Sequence, residues 1–210
     1  MLRQLSGLRI AASIALLGCG GGSGSTGPST LSVTVPVSPI ASGTSVQATA
    51  TVIDGSGHGT PASNVTWSSK DPGIAEVTST GLITGAVKGS TIITARSGTL
   101  TGTLNVAVIP GQPVSIVIVS GNGQTATHGN TLPDPLCTSV LDGRGNQIVG
   151  VTVNYTVATG GGSLAEPKSP PTDAGGIAIS GHWTLGPGTG PQTVTASTSV
   201  GSVTFTATAQ

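Results

Sequence analysis

Ser45-Val46-Gln47-Ala48-Thr49-Ala50-Thr51-Val52 places an apolar side chain at every even position and a polar one at every odd position. A period of two is the signature of a strand whose two faces meet different surroundings. Val46, Ala48, Ala50 and Val52 therefore share a core face, with Ser, Gln and Thr toward water. The pattern recurs in Leu104, Val106 and Val108, in Val151, Val153, Tyr155 and Val157, and in Val203, Phe205 and Ala207. Turn chemistry separates the runs: Asp54-Gly55, Asp71-Pro72-Gly73, Asp142-Gly143, Gly160-Gly161-Gly162 and Pro187-Gly188. No segment of 10–12 residues between them has helical spacing. Short alternating strands with frequent turns predict an all-β chain of sandwich type.

Composition narrows the function classes. Only 7% of the 210 residues are charged, and Lys+Arg balance Asp+Glu at seven each. A nucleic-acid binder needs clustered cations to displace counterions from phosphates, so nucleic acid is excluded as a partner. Trp67, Tyr155, Trp183 and Phe205 are the only aromatic residues, which leaves few stacking platforms for bases or sugars.

The chain opens with Arg3 and Arg9 and no acid, then an apolar run from Ile10 to Leu17 that stops at Gly18-Cys19. A positive start, a short apolar stretch and a small residue at the end read as a secretory signal, too short to cross a bilayer. Gly20 to Thr30 (GGGSGSTGPST) is a Gly/Ser chain that behaves as a flexible coil spanning roughly 18 Å. At the other natural break, Ile109-Pro110-Gly111-Gln112-Pro113, two prolines in four residues interrupt strand pairing. The expected organisation is residues 1–18 as signal peptide, 19–30 as tether, 31–109 as one sandwich and 112–210 as a second.

Leu16-Leu17-Gly18-Cys19 resembles the lipobox of bacterial lipoproteins. That resemblance implies diacylglycerol on the thiol of Cys19, which becomes the new N-terminus, and Gly20 favours the outer membrane. Cys137, the only other cysteine, then has no disulfide partner and reads as a small hydrophobe in the run Leu136 to Leu141.

Residues 31–109 resemble a bacterial immunoglobulin-like domain of group 2. The carriers are Val65-Thr66-Trp67-Ser68-Ser69, Asp71-Pro72-Gly73-Ile74-Ala75-Glu76-Val77, Gly81-Leu82-Ile83-Thr84-Gly85 and Gly89-Ser90-Thr91-Ile92-Ile93-Thr94-Ala95. Residues 112–210 resemble the group 1, invasin/intimin-type domain through Gly121-Asn122-Gly123-Gln124, Leu132-Pro133-Asp134-Pro135-Leu136, Asp142-Gly143-Arg144-Gly145-Asn146 and Gly160-Gly161-Gly162-Ser163-Leu164. Thr172-Asp173-Ala174-Gly175-Gly176 and Trp183-Thr184-Leu185-Gly186 continue in order. Both resemblances imply surface-protein modules that act as stalks or adhesive units, with no catalytic residue.

The residues themselves agree. His58, His128 and His182 are far apart in sequence, and no HExxH, paired CxxC, GxSxG or phosphate-loop pattern occurs. No catalytic residue, metal ligand or cofactor is expected. Asp142 and Asn146, with Asp134 or Asp173, offer two or three oxygens, short of the six to eight that calcium takes, and the spacing reads as an Asp-Gly hairpin turn. The expectation is a non-enzymatic, lipid-anchored envelope protein whose sandwiches serve as spacer or protein-interaction modules. Its expected partners are the membrane, through the anchor, and an envelope protein or surface glycan. The alternative is an adhesin or carbohydrate-binding module using loops around Trp183, His128 or Asp173; Trp183 reads first as a core residue and second as a surface platform, so its exposure is the discriminating feature.

Overall fold

The computed structural model describes residues 29–210, so the signal peptide, most of the tether and Cys19 lie outside the described residues. The described chain is all-β, as expected. Ten strands build the first sandwich: β1 (Thr30–Thr34), β2 (Ile40–Ala41), β3 (Ser45–Gln47), β4 (Thr49–Ile53), β5 (Gly59–Pro61), β6 (Thr66–Ser69), β7 (Ala75–Val77), β8 (Leu82–Gly85), β9 (Gly89–Ser97) and β10 (Leu100–Ile109). Nine build the second: β11 (Ser115–Ser120), β12 (Gln124–Ala126), β13 (Cys137–Leu141), β14 (Asn154–Thr159), β15 (Ser163–Leu164), β16 (Ile177–Ile179), β17 (Trp183–Thr184), β18 (Gly190–Thr198) and β19 (Gly201–Ala209).

In the first sandwich the sheet β2-β10-β9-β6 faces two smaller sheets, β1-β4-β5 and β3-β8-β7. Leu31 and Val33 pack with Ala95 under one of them, while Val46 and Ile83 pack with Ile93 and Val106 under the other. Trp67 touches both clusters and joins them into one core. The deciding run 45–52 keeps its apolar face, with Val46 and Ala48 buried, but it is not one strand. It breaks at Ala48, so that β3 pairs with β8 and β4 pairs with β1. The Gln47 amide donates to the carbonyls of Ala48 and Thr80, and the Ala48 N–H donates to Gly81. These bonds satisfy the backbone where the chain leaves one sheet for the other.

Gly81 is bound to this arrangement. Its φ of +84° suits glycine, and a Cβ there would lie 2.8 Å from Cε2 of Trp67.

The second sandwich sets β11-β13-β16 against β12-β19-β18-β14, with β15-β17 closing one end. Trp183, Phe205, Leu132, Leu136, Val140 and Val194 are fully buried between the layers. Tyr155 stacks at a tilt on Phe205, with ring centroids 6.2 Å apart. From β14 its hydroxyl crosses the core to donate to the carbonyl of Ala178 (2.9 Å) and to meet the Thr138 hydroxyl (2.8 Å) on the opposite sheet. Burial pushes the Tyr155 hydroxyl up to about 12, against the lowering effect of its bond to Thr138. The run 151–157 holds its face, yet β14 begins only at Asn154. Val151 and Val153 instead bond the segment 170–172.

Two outcomes follow for stability. Gly81→Ala should cost about 1–3 kcal/mol through strain and the Trp67 contact, read as a lower urea midpoint by tryptophan fluorescence; an unchanged midpoint would refute the contact. Tyr155 is the only tyrosine, so its tyrosinate absorbance reports one site. An unfolded tyrosine ionises near pH 10. Because the folded value is higher, the stability held in the neutral hydroxyl is complete below about pH 10 and is lost as pH rises toward 12. Tyr155→Phe should abolish that dependence and cost about 1–3 kcal/mol.

Candidate functional site

Three buried polar side chains come together where the sandwiches meet. Asp142 and Asn146 flank the β13–β14 turn, and both are buried, as is Ser42 from the turn after β2. The Asn146 Oδ1 accepts the Lys88 N–H at 2.9 Å. Its Nδ2 lies 2.9 Å from Ser42 Oγ, 3.0 Å from the Ala86 carbonyl and 2.9 Å from Asp142 Oδ2. Ser42 Oγ in turn donates to the Ala86 carbonyl at 2.7 Å. One side chain of the second sandwich thus bonds two separate turns of the first.

Asp142 completes the joint. Its Oδ1 accepts the N–H groups of Arg144 and Asn146, which shapes the turn, and its Oδ2 accepts the Gly111 N–H of the connector at 2.8 Å. Burial alone would raise this carboxyl's pKa. The N–H of Gly111 and the amide and N–H of Asn146 outweigh it and hold the group well below the usual carboxylate range. The connector runs close against the first sandwich: a Cβ at Gly111 would lie 2.8 Å from the Ser42 carbonyl oxygen. Beside the joint runs a groove of about 460 Å³, lined by Val87 and Lys88 of the first sandwich and Val117, Val119 and Leu141 of the second.

The other singled-out residues do not converge. His58 and His128 sit in exposed turns, and His182 touches only the Leu132 carbonyl through Nδ1. Asp173 Oδ1 accepts the N–H groups of Gly175 and Ile177, an ordinary turn bond. Asp134 stays in an exposed loop whose backbone is held by Gln124. Among the described residues no three His, Cys, Asp or Glu side chains come close enough to hold a metal. Asp142 and Asn146, read from sequence as a hairpin turn, form that turn through Asp142 Oδ1, and they give Asp142 Oδ2 and Asn146 Oδ1 to the joint. Trp183, the discriminating residue for a glycan platform, is fully buried, and its Nε1 has no hydrogen-bond partner. A stacking surface is therefore not formed there. Cys137 is a half-buried free thiol on β13.

These features define a tandem β-sandwich protein whose principal polar site is a buried joint between domains rather than a cleft. Residues 30–108 match the bacterial Ig-like domain (group 2) family. No curated protein matches the chain. Among solved structures it is similar to FdeC, an Escherichia coli adhesin, at 19% identity over 87% of this chain and 65% of that one, with a TM-score of 0.49. It is also similar to the D00-D0 domain of intimin, at 13% identity over 84% of this chain and 96% of that one, TM-score 0.49. The likeness to the S-layer protein SbsC covers 86% of this chain at 18% identity with a TM-score of 0.42, and this chain spans 27% of that protein.

Asn146→Ala should leave the Lys88 N–H without its acceptor and weaken the joint by about 1–3 kcal/mol. Residual dipolar couplings should fit one alignment for both sandwiches in the natural chain and need two in the variant; a single alignment for both would refute the role of Asn146. The joint should also loosen in acid. An unfolded Asp titrates near pH 3.9, and the folded pKa of Asp142 is depressed. Its contribution is present above about pH 4 and is lost as pH falls below that. Asp142→Asn should remove this dependence.

Proposed function

We propose that this is a non-enzymatic, lipid-anchored cell-envelope protein whose two sandwiches act together as a spacer and protein-interaction module. The observation that carries the reading is the joint: Asp142 and Asn146 hold the connector and two turns of the first sandwich at once. A spacer must transmit position along its length. A short connector bonded at Gly111 does this, whereas a free linker would let the modules swing. The lipobox-like Leu16-Leu17-Gly18-Cys19 supports acylation at Cys19, with the Gly/Ser tether between lipid and β1 and the outer membrane as the site of attachment. The turn motifs quoted for residues 112–210 support a group 1, invasin/intimin-type domain as the second sandwich.

The test combines anchoring and position. Cells fed radiolabelled palmitate should yield a labelled mature protein in the membrane fraction, and Cys19→Ser should lose the label and leave that fraction. An unlabelled, cytosolic natural chain would sink the proposal. Protease added to intact cells, probing an epitope after Gln210, then resolves the face: loss of signal assigns the sandwiches to the outside, and protection until permeabilisation assigns them to the periplasm.

A further inference from the structure

Each sandwich ties its two ends together with a parallel strand pair. In the first, the early strand β2 runs parallel to the last strand β10 through Ile40↔Val108 and Ala41↔Ile109. In the second, β12 runs parallel to the last strand β19 through Gln124↔Ala207, Thr125↔Thr208 and Ala126↔Ala209. Tension along a spacer pulls the early strand toward its own N-terminus and the last strand toward its own C-terminus. Parallel neighbours are then driven past each other, and every bond between them carries load at once. A pair pulled apart from one end would instead lose its bonds one by one. The parallel pair is therefore the part of each sandwich that resists end-to-end load.

The two pairs are fastened unequally. Beyond its two register positions, the first is extended by the Ser42 N–H donating to the Ile109 carbonyl at 2.8 Å. The second is extended at both ends. The Gly123 N–H donates to the Thr206 carbonyl at 2.9 Å, the His128 N–H to the Gln210 carbonyl at 3.0 Å, and the Gln210 N–H to the Ala126 carbonyl at 3.0 Å. A side chain adds to them, since Asn122 Oδ1 accepts the Thr206 N–H at 2.8 Å. The Gln124 amide also holds the head of β12 to both the carbonyl and the N–H of Asp134. The outer strands do not offset this difference, because β1–β4 and β11–β13 each join five residue pairs. Ile40 and Val108 bury more apolar surface at the first pair than Ala207 and Ala209 do at the second. Apolar burial declines gradually with displacement, whereas a hydrogen bond fails within a short slide, so the bonds set the load at rupture. Across the second core, the Tyr155 hydroxyl further ties one sheet to the other.

We propose that the molecule is graded for load: under tension the first sandwich, next to the tether, shears open before the second. Residues 30–109 then extend to roughly 270 Å of chain at about 3.4 Å per residue, while the second sandwich stays folded. The first sandwich is a reserve of length, and the second is the part whose surface is preserved under strain. Opening under force is governed by the unfolding rate, so a difference in bonds at the sheared pair decides the order. This inference rests on the spacer reading. Its test needs neither lipid nor cells, so a failed palmitate label and a failed order of opening are separate results.

The full chain, held by handles in its tether and after Gln210, is stretched one molecule at a time. The first opening event should release the shorter length, set by the roughly 270 Å of residues 30–109, and the second the longer, set by about 320 Å for residues 115–209. Asn122→Ala should speed opening of the second sandwich at fixed load on the order of tenfold and leave the first unchanged. Asn122→Asp, which keeps an acceptor for the Thr206 N–H, should restore the slow rate. A handle at the exposed Ser199, in the turn before β19, pulls β12 and β19 apart from one end. The same bonds then break in turn, and the second sandwich should open at a lower load than when it is pulled after Gln210. The longer length released first, equal opening loads, an Asn122→Ala chain that opens like the natural one, or indifference to the handle's position would each overturn the proposal. The handle comparison keeps the test valid even where Asn122→Ala disturbs folding.

Discussion

A single buried amide sets how the two halves of this molecule stand to each other. Asn146 offers one acceptor and one donor group to a surface that needs both: the Lys88 N–H on one side, the Ser42 hydroxyl and Ala86 carbonyl on the other. A buried amide that left any of these unmet would cost more than it contributed, because unpaired polar groups out of water are penalised heavily. The satisfied arrangement is therefore narrow, and so is the orientation it permits. Asp142 adds the connector to the same network through Gly111. An apolar interface of equal size would have tolerated sliding; directional bonds do not.

The two cores reach stability by different means. The first has one aromatic residue, Trp67, and otherwise packs Val, Ile, Leu and Ala, so its layers must come close. Gly81 at the Trp67 ring shows how little room is left. The second core holds Tyr155, Trp183 and Phe205, and a polar tie crosses it. Tyr155 supplies that tie by placing its hydroxyl between Thr138 and Ala178. Both sandwiches leave mostly hydroxyl-bearing residues on their outer sheets. Against that background the exposed Val117, Val119 and Ile179 of β11 and β16 are a departure in the pattern, and the two valines adjoin the joint.

Much of this architecture was legible from residue order. Alternation at 45–52, 104–108 and 203–207 identified which side chains face the core, because a strand's faces alternate whatever it pairs with. The break at Ala48 was not legible, since a chain that changes sheets without changing face keeps the same period. The start of β14 at Asn154 was hidden for the same reason. Trp183 lies in the core, the first of its two sequence readings; Leu132, Leu164 and the layers above them cover it.

The turn Asp142-Gly143-Arg144-Gly145-Asn146 divides the two kinds of information most clearly. Its glycines and its Asp are enough to specify a tight turn, because an Asp side chain bonds N–H groups two and four residues on wherever the turn is placed. Local chemistry of that kind, with periodicity and the low charge, is written in the order of residues alone: all-β, two sandwiches, a connector at 109–113. That Asn146 meets Ser42, a residue 104 positions away, depends on where two folded bodies come to rest. Contacts between distant segments leave no period and no spacing in the chain, so the joint and the groove beside it came into view only once the strands had taken their places.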